Sequence, residues 1–82
     1  MSVQRADASI DTSGLLCPLP IVECAKKIRS MSAGQVLEVI STDSGVLADL
    51  PAWCRSHAHA LVSMETVGGK FVGLIRKEEG GT

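Results

Sequence analysis

The alternation of apolar and polar residues predicts six elements along the chain, beginning with a strand and a helix. Residues 8–12 (ASIDT) form a short extended segment, and Gly14 directly after it favours a turn. Residues 18 to about 31 carry apolar side chains at spacings of three and four, which is typical of one face of a helix. Gly34 follows the predicted helix end. The apolar positions of this helix are Ile21, Cys24, Ala25 and Ile28.

The middle of the chain continues the pattern with a second strand and a second helix. Residues 35–42 (QVLEVIST) are nearly continuously apolar and rich in β-branched side chains, as is typical of a central strand. Residues 45–58 are predicted to be helical, with Asp43 or Ser44 as the N-cap. The inward face of this helix consists of Val46, Leu50, Trp53, Cys54 and His57.

Pro51 conflicts with a regular helix over residues 45–58. Proline lacks the N–H that an internal helical position donates, and its ring clashes with the preceding turn. The sequence therefore predicts a kink or a tightened first segment near residues 47–50, which would divide the helix into two pieces.

A hairpin completes the pattern. Residues 61–67 and 70–77 are predicted strands, and the Gly68-Gly69 dipeptide between them suits a tight antiparallel turn. The element order is β-α-β-α-β-β. Because parallel βαβ units have right-handed crossovers, both helices fall on one face of a mixed four-stranded sheet. The predicted fold is a two-layer α/β (α+β) sandwich.

Length and composition are those of one small domain. At 82 residues, two cores would each be smaller than a unit that usually folds unaided, so we expect one domain spanning residues 1–82. Apolar residues make up 45% and charged residues 21%, as in ordinary globular domains. We expect order over about residues 8–77 and flexible ends, including the tail EEGGT.

Charge and aromatic content argue against several classes of partner. Eight basic and nine acidic side chains nearly cancel, so no global field draws the protein to nucleic acid or to an anionic membrane. One Phe, one Trp and no Tyr provide no platform for stacking unpaired bases. No apolar run approaches the roughly 20 residues of a membrane span. We expect a cytoplasmic protein, monomeric when free, without a cofactor and without direct nucleic-acid or membrane binding.

Three cysteines are too few for a disulfide framework, and an odd number cannot all be paired within the chain. Thiols in the cytoplasm also stay reduced. Cys17 and Cys24 would lie roughly 10 Å apart along one helix, at a rise of about 1.5 Å per residue, which is beyond the reach of a disulfide. Cys24 and Cys54 fall on apolar helix faces. We therefore expect both of them to pack in the core as small apolar side chains.

Cys17 differs because it lies at the predicted N-cap of the first helix. Partial positive charge and free N–H groups at that position favour the thiolate, so a lowered pKa and a reactive sulfur are expected. Pro18 and Pro20 lack N–H groups, which leaves those of Leu19 and Ile21 to face the sulfur within a stiff, apolar rim. The residues alone leave a second interpretation equally open, in which Cys17 is merely a tolerated helix cap.

A motif around Cys17 runs Asp11-x-x-Gly14-Leu15-x-Cys17-Pro18-x-Pro20. Further residues belong to the same pattern: Thr42-Asp43, Gly45, Asp49-x-Pro51-x-Trp53 and His59. Together these residues resemble the signature of the TusA (SirA/YhhP) sulfur-carrier family, and the resemblance covers nearly the whole chain.

The resemblance implies the same six-element fold and a cysteine at position 17 that carries sulfane sulfur as a persulfide. Members receive this sulfur from a cysteine desulfurase or a rhodanese-like donor and pass it to an acceptor protein, DsrE/TusD-like or other. Relays of this kind lead to 2-thiouridine in tRNA, to molybdenum cofactor synthesis or to sulfur oxidation. Such a carrier is a transferase if it is classed as an enzyme. The supporting motif around the nucleophile comprises Asp11, Gly14, Leu15, Pro18 and Pro20.

Charged residues near Cys17 allow more than one interpretation. Lys26, Lys27 and Arg29 lie further along the same predicted helix. They form either a docking surface for acidic partners or a plain solvated face. Asp11 either accepts hydrogen bonds from first-turn N–H groups, or orders the turn before Cys17, or simply ends its strand.

Two other functional classes compete with sulfur transfer. A zinc site would use Cys54-x-x-His57 with His59 and Cys24, but no second C-x-x-C pair exists and Cys24 lies on a core face, so no metal is expected. The main alternative is a non-catalytic regulatory or protein-interaction module that docks through the Cys-Pro-x-Pro turn. Such a role would survive Cys17→Ser.

Ser44 and Ala58 depart from the family pattern, in which relatives commonly have proline and glycine. Ala58 follows the second predicted helix, where a left-handed conformation costs alanine roughly 1 kcal/mol. We therefore expect the end of this helix to differ locally, without an effect on the sulfur chemistry.

Overall fold

The computed structural model describes residues 6–80, and this part of the chain contains two helices and four strands. The six predicted elements are confirmed, with bounds that differ from the predicted ones by no more than two residues. The expectations for residues 1–5 and 81–82 lie outside the described residues. In chain order the elements are β1 (Ala8–Asp11), α1 (Leu19–Arg29), β2 (Val36–Ser41), α2 (Val46–Ser56), β3 (Ala60–Val67) and β4 (Lys70–Arg76).

The strands form one mixed sheet in the order β1-β2-β4-β3. β1 and β2 are parallel, and β4 is antiparallel to both β2 and β3. The crossover from β2 through α2 to β3 therefore skips one strand position, which β4 fills. The chain enters β4 through Gly68 and Gly69, whose φ angles of 56° and 80° suit the tight turn predicted there.

Both helices pack on one face of the sheet and share an apolar core. Each fully buried side chain of this core is at most 1% exposed, and alternate residues of β2 point into it. The predicted two-layer sandwich is confirmed. No helix within residues 6–80 is long and apolar enough to cross a bilayer. The fully buried apolar residues are Cys24 and Ile28 of α1, Leu50 of α2, and Leu37, Val39 and Ile75 of the sheet.

Leu50 of α2 lies directly over Gly73 of β4. A Cβ atom added at Gly73 would come within 2.6 Å of Leu50 Cδ2, far closer than the usual approach of two carbon atoms. The missing side chain at Gly73 therefore allows α2 to lie close to the sheet. Because α2 also carries Asp49, one residue of the site described below, this contact positions that residue.

Pro51 lies inside α2 without dividing it, since the helix is continuous from Val46 to Ser56. The expectation of two helical pieces is therefore wrong. The entry to the helix is nevertheless tight, because the N–H groups of Val46, Leu47 and Ala48 donate to carbonyls three residues back, at 3.1–3.2 Å. Pro51 leaves the Leu47 carbonyl without its helical donor. The Leu47 side chain is exposed, so this side of the helix is open to water.

Ala58 has a φ of 59°, so the chain takes the left-handed conformation after α2 although the residue there is alanine. The local difference expected at this helix end is therefore not a loss of the left-handed conformation. Ala58→Gly should raise the free energy of unfolding by about 0.5–1 kcal/mol, because removal of Cβ relieves backbone crowding by more than glycine gains in unfolded-state freedom. The control is Ala52→Gly inside α2, which should lower this free energy by about 0.5–1 kcal/mol. Urea denaturation measures both. If the free energy of unfolding fell equally in Ala58→Gly and Ala52→Gly, the prediction would be contradicted.

Candidate functional site

The ends of two parallel strands bring the site residues together. β1 and β2 run in the same direction, so the segments that follow them meet at one edge of the sheet. Cys17 follows β1, Asp43 follows β2, and Asp49 lies in the first turns of α2. We call these three residues the Cys17 site.

The loop between β1 and Cys17 is tied to the end of β2. Thr12 donates through Oγ1 to the Ile40 carbonyl at 2.5 Å, and the Gly14 N–H donates to Thr42 Oγ1 at 2.9 Å. Gly14, with a φ of 86°, is the third residue of a turn closed by the Leu15 N–H on the Thr12 carbonyl at 3.0 Å. A positive φ at this turn position favours glycine, which explains Gly14 in the motif.

Asp11 orders the same turn. Its Oδ1 accepts hydrogen bonds from the Ser13 hydroxyl at 2.5 Å and from the Ser13 N–H at 2.9 Å. These two bonds stabilise the carboxylate and lower the pKa of Asp11. Among the roles that the sequence left open for Asp11, this geometry is that of a turn-ordering residue.

Cys17 is exposed and is held by two carboxylates. Its backbone N–H donates to Asp43 Oδ2 at 2.6 Å, and its thiol donates to Asp49 Oδ2. Asp43 also accepts the Gly45 N–H through Oδ1 at 3.2 Å, so it ties the start of α2 to Cys17. Gly45 is the N-cap of α2, and the prediction of Asp43 or Ser44 in that position is wrong.

The start of α1 differs from the prediction. The N-cap is Pro18 rather than Cys17, and the Cys17–Pro18 peptide bond is cis. The N–H groups of Leu19 and Ile21 donate to the carbonyls of Leu16 at 2.9 Å and Pro18 at 3.1 Å. The expectation that they face the sulfur is therefore wrong, because the turn before α1 already uses them.

The expected lowering of the Cys17 pKa is also wrong, since the pKa of this thiol is raised above its ordinary value. The largest cause is the hydrogen bond to the Asp49 carboxylate, followed by desolvation and the negative charges of Asp49 and Asp43. A carboxylate that accepts the S–H proton stabilises the thiol, and it repels a thiolate. The two carboxylates therefore outweigh the helix N-terminus.

We expect Cys17 to react slowly with small electrophiles at pH 7. Only the thiolate is strongly nucleophilic, so a raised pKa reduces the reactive fraction until the pH approaches that pKa. Intact mass spectrometry measures the rate of Cys17 alkylation by iodoacetamide from pH 6 to 10. The midpoint of this rate's rise with pH should lie at a higher pH for Cys17 than for the thiol of glutathione. Cys17→Ser corrects for modification of the other cysteines. A midpoint below that of glutathione would contradict the expectation.

Cys24 and Cys54 are only 0% and 2% exposed, which confirms their predicted place in the core. Burial raises the pKa of Cys24 to about 12 and that of Cys54 to about 11. All three cysteines are free thiols. Only Cys17 among them is both exposed and hydrogen-bonded to a carboxylate.

The residues of the alternative zinc site have other partners. Trp53 stacks against both His57 and His59, with ring centroids 5.0 Å and 5.4 Å apart. His57, expected on the inward helix face, is the half-buried residue that follows α2. Within residues 6–80, no group of three or more His, Cys, Asp and Glu side chains is arranged to hold a metal ion.

Sequence reasoning did not assign Asp49 to the site. The sequence nevertheless contains an indication that Asp49 is special, because it lies three residues after Val46 and four before Trp53. That spacing places a carboxylate beside the inward face of α2, where an apolar residue is the norm. An acidic residue in such a position indicates a specific polar partner, and the structure identifies the partner as Cys17.

Large apolar side chains are exposed near Cys17. Leu16, Leu19 and Leu47 are 71%, 47% and 45% exposed. Val22, one turn beyond Leu19 on α1, is 41% exposed. We call these four residues the apolar rim. Leu16 precedes α1, Leu19 and Val22 lie in its first turns, and Leu47 lies in the first turn of α2. The apolar rim contains neither Pro18 nor Pro20, the two residues predicted to form a rim around the sulfur.

The predicted basic surface of Lys26, Lys27 and Arg29 is exposed in the last turn of α1. Lys26 Nζ lies 3.5 Å from Glu23 Oε2. Cations at a helix C-terminus also stabilise the helix dipole, which gives these residues a structural role whether or not they bind a partner. Their docking role stays a prediction.

Comparison with known proteins gives matches over most of the chain. Residues 8–77 match the family model described as Sulfurtransferase TusA. The chain is 45% identical over 71 residues to the sulfur carrier protein TusA of Allochromatium vinosum, covering 87% of this chain and 93% of that protein. It is 38% identical over 72 residues to the sulfur carrier protein TusA of Pseudomonas entomophila, covering 88% and 90%. The crystal structure of a SirA-like protein from Desulfitobacterium hafniense has a TM-score of 0.77 at 20% identity, covers 88% of this chain and 99% of that one, and supports the fold.

Proposed function

The chain belongs to the TusA sulfurtransferase family, and from this premise we propose that Cys17 carries sulfane sulfur as a persulfide between a donor and an acceptor protein. The observation that carries the proposal is the exposure of Cys17, compared with the burial of Cys24 and Cys54. A carrier sulfur must reach two different protein thiols in turn. Of the three cysteines, Cys17 meets this requirement.

The chemistry consists of two exchanges. In loading, the Cys17 sulfur attacks the terminal sulfur of a donor persulfide, the donor S–S bond breaks, and the donor cysteine leaves as a thiolate. The product is Cys17–S–SH. In unloading, an acceptor thiolate attacks the terminal sulfur and Cys17 becomes the leaving group. The sulfane sulfur moves between cysteines without an external oxidant or reductant.

The core cysteines do not compete for this sulfur. Both are buried, and raised pKa values of about 12 for Cys24 and about 11 for Cys54 keep them as thiols at neutral pH. A persulfide on Cys17 therefore meets no internal thiolate that would release its sulfur as a disulfide forms. This supports transfer to a separate protein.

The supporting motif holds Cys17 on a defined turn. Asp11 and Gly14 shape the turn after β1, Pro18 is the N-cap of α1, and Pro20 is a buried residue in the first turn of that helix. Leu15 is half-buried in the same loop. A sulfur held in this way projects from a fixed position, which lowers the ordering cost of docking two different partners.

The surroundings of Cys17 support docking by proteins. Four of the six large apolar side chains that are exposed within residues 6–80 belong to the apolar rim. Leu19, Val22 and Lys26 follow at spacings of three and four along α1, so the rim continues into the basic surface. A partner with an apolar patch beside acidic residues fits this arrangement.

We assign the partners by class, as the family resemblance implies. The donor is a cysteine desulfurase or a rhodanese-like protein, and the acceptor is a DsrE/TusD-like protein or another thiol protein of the cytoplasm. The pathways open to such a carrier are tRNA 2-thiolation, molybdenum cofactor synthesis and sulfur oxidation.

Incubation with a cysteine desulfurase and cysteine tests the proposal. Intact mass spectrometry should show a form heavier by one sulfur atom, which dithiothreitol removes. A docking module without sulfur chemistry would bind partners and show no mass gain. Failure of both a desulfurase and a rhodanese-like donor to add sulfur would contradict the carrier proposal.

A further inference from the structure

We propose that Asp49 is a catalytic residue of sulfur loading, which holds the Cys17 proton in the free protein and receives it when the sulfur attacks a docked donor. The inference rests on the proposed role of Cys17. Its geometric basis is direct, because the Cys17 thiol donates a hydrogen bond to Asp49 Oδ2.

The position of Asp49 is fixed by the helix that carries it. Its N–H donates to the Gly45 carbonyl at 3.0 Å, within the first turns of α2. The next residue, Leu50, is fully buried over Gly73 and anchors this part of the helix to the sheet. A carboxylate on a packed helix keeps its position relative to the sulfur more precisely than one on a loop.

The two carboxylates of the site have different functions. Asp43 binds the backbone N–H of Cys17 and the N–H of Gly45, so it positions the loop. Asp49 contacts the sulfur itself. Both negative charges disfavour a thiolate, so the free protein holds Cys17 as a thiol and its proton must leave before the sulfur attacks. Asp49 is the base already in hydrogen-bond contact with that proton.

The loading step balances without a further reactant. The proton passes from Cys17 Sγ to the Asp49 carboxylate, and the sulfur forms a bond to the terminal sulfur of the donor R–S–SH. The donor S–S bond breaks, and the departing donor thiolate takes the proton from Asp49. The sum is Cys17–SH plus R–S–SH giving Cys17–S–SH plus R–SH.

This arrangement favours a docked protein over a small electrophile in solution. A donor bound over the apolar rim excludes water and places its leaving thiolate where it can take the proton from Asp49. A small electrophile that approaches from water brings no such acceptor and meets the less reactive thiol. Asp49 therefore makes loading depend on a bound partner.

Asp49→Asn tests the inference, because it keeps the shape and one oxygen acceptor but removes the charge. Two rates are measured at pH 7: alkylation of Cys17 by iodoacetamide, and single-turnover loading from a persulfidated cysteine desulfurase. We expect faster alkylation and no faster loading, so that the ratio of loading to alkylation falls by about tenfold or more. The midpoint of the alkylation pH profile should fall as well.

Matched variants separate this role from a structural one. Asp43→Asn should change the ratio less, because Asp43 contacts the backbone rather than the sulfur. Asp49→Glu keeps the carboxylate and should recover part of the ratio, and it serves as the test variant if Asp49→Asn does not fold. Glu65→Gln on the exposed surface of β3 should match the wild type.

The outcomes of the test are distinct. A wild-type ratio and alkylation profile in Asp49→Asn would overturn the inference, as would loading and alkylation slowed by the same factor. If the wild-type protein gains no sulfur from any donor, the carrier proposal fails. In that case an unchanged alkylation profile of Asp49→Asn would still overturn the claim that Asp49 holds the proton, whereas a lowered midpoint would support that part.

Discussion

Cys17→Ser is expected to abolish sulfur loading by a cysteine desulfurase while leaving the fold intact. A serine hydroxyl does not attack a persulfide under these conditions, because the attacking group in this exchange is a sulfur nucleophile. Serine keeps the side-chain shape and can still donate to Asp49, and the position is exposed. Its effect on the free energy of unfolding should therefore stay within about 0.5 kcal/mol.

Intact mass spectra of the wild type and the variant, loaded in parallel, measure this prediction. Cys24→Ala and Cys54→Ala are the matched controls, since each removes a thiol of the core and leaves Cys17 in place. Both should gain sulfur at levels near that of the wild type wherever they remain folded. A sulfur adduct on Cys17→Ser equal to that on the wild type would refute the assignment of the carrier residue.

Leu50→Ala is expected to lower the free energy of unfolding by about 2–5 kcal/mol. Leu50 is fully buried and lies against Gly73, so truncation loses buried apolar surface and leaves a cavity between α2 and the sheet. The total stability of a small domain is about 5–15 kcal/mol, so this loss is a large part of it. Urea denaturation followed by circular dichroism gives the value.

A double-mutant cycle with Gly73→Ala tests the contact itself. Gly73→Ala alone should cost about 1–3 kcal/mol, because the added methyl group overlaps Leu50 Cδ2. In the Leu50→Ala background the methyl group enters the cavity, and its cost should fall or reverse. Purely additive costs would show that α2 does not rest on Gly73.

The fold could be predicted because local patterns determine most of it. Apolar spacings of three and four identified α1, the β-branched run identified β2, and the paired glycines identified the hairpin. The prediction for Pro51 failed because a general rule about proline in helices does not include tertiary packing. Residues on both sides of Pro51, Leu50 and Trp53, are buried against the sheet and keep α2 continuous.

The chemical state of the site could not be predicted in the same way. The sequence singled out Cys17 and its motif as candidates. The Cys17 thiol contacts the carboxylate of Asp49, 32 residues further along the chain, and a contact at that separation leaves no local sequence pattern. Reasoning from the helix N-terminus alone gave the wrong direction for the pKa, since Asp49 and Asp43 supply full negative charges close to the sulfur. The two carboxylates become neighbours of Cys17 only when β1 and β2 pair.

The most direct test of the carrier proposal locates the sulfur on the chain. Protein loaded by a cysteine desulfurase is separated from the donor, labelled with a persulfide-specific reagent and cleaved after glutamate. Cleavage after Glu23 separates Cys17 from Cys24, and Cys54 lies on a later peptide. We predict label on the Cys17 peptide alone. Label on the Cys24 or Cys54 peptides, with Cys17 unlabelled, would contradict the proposal.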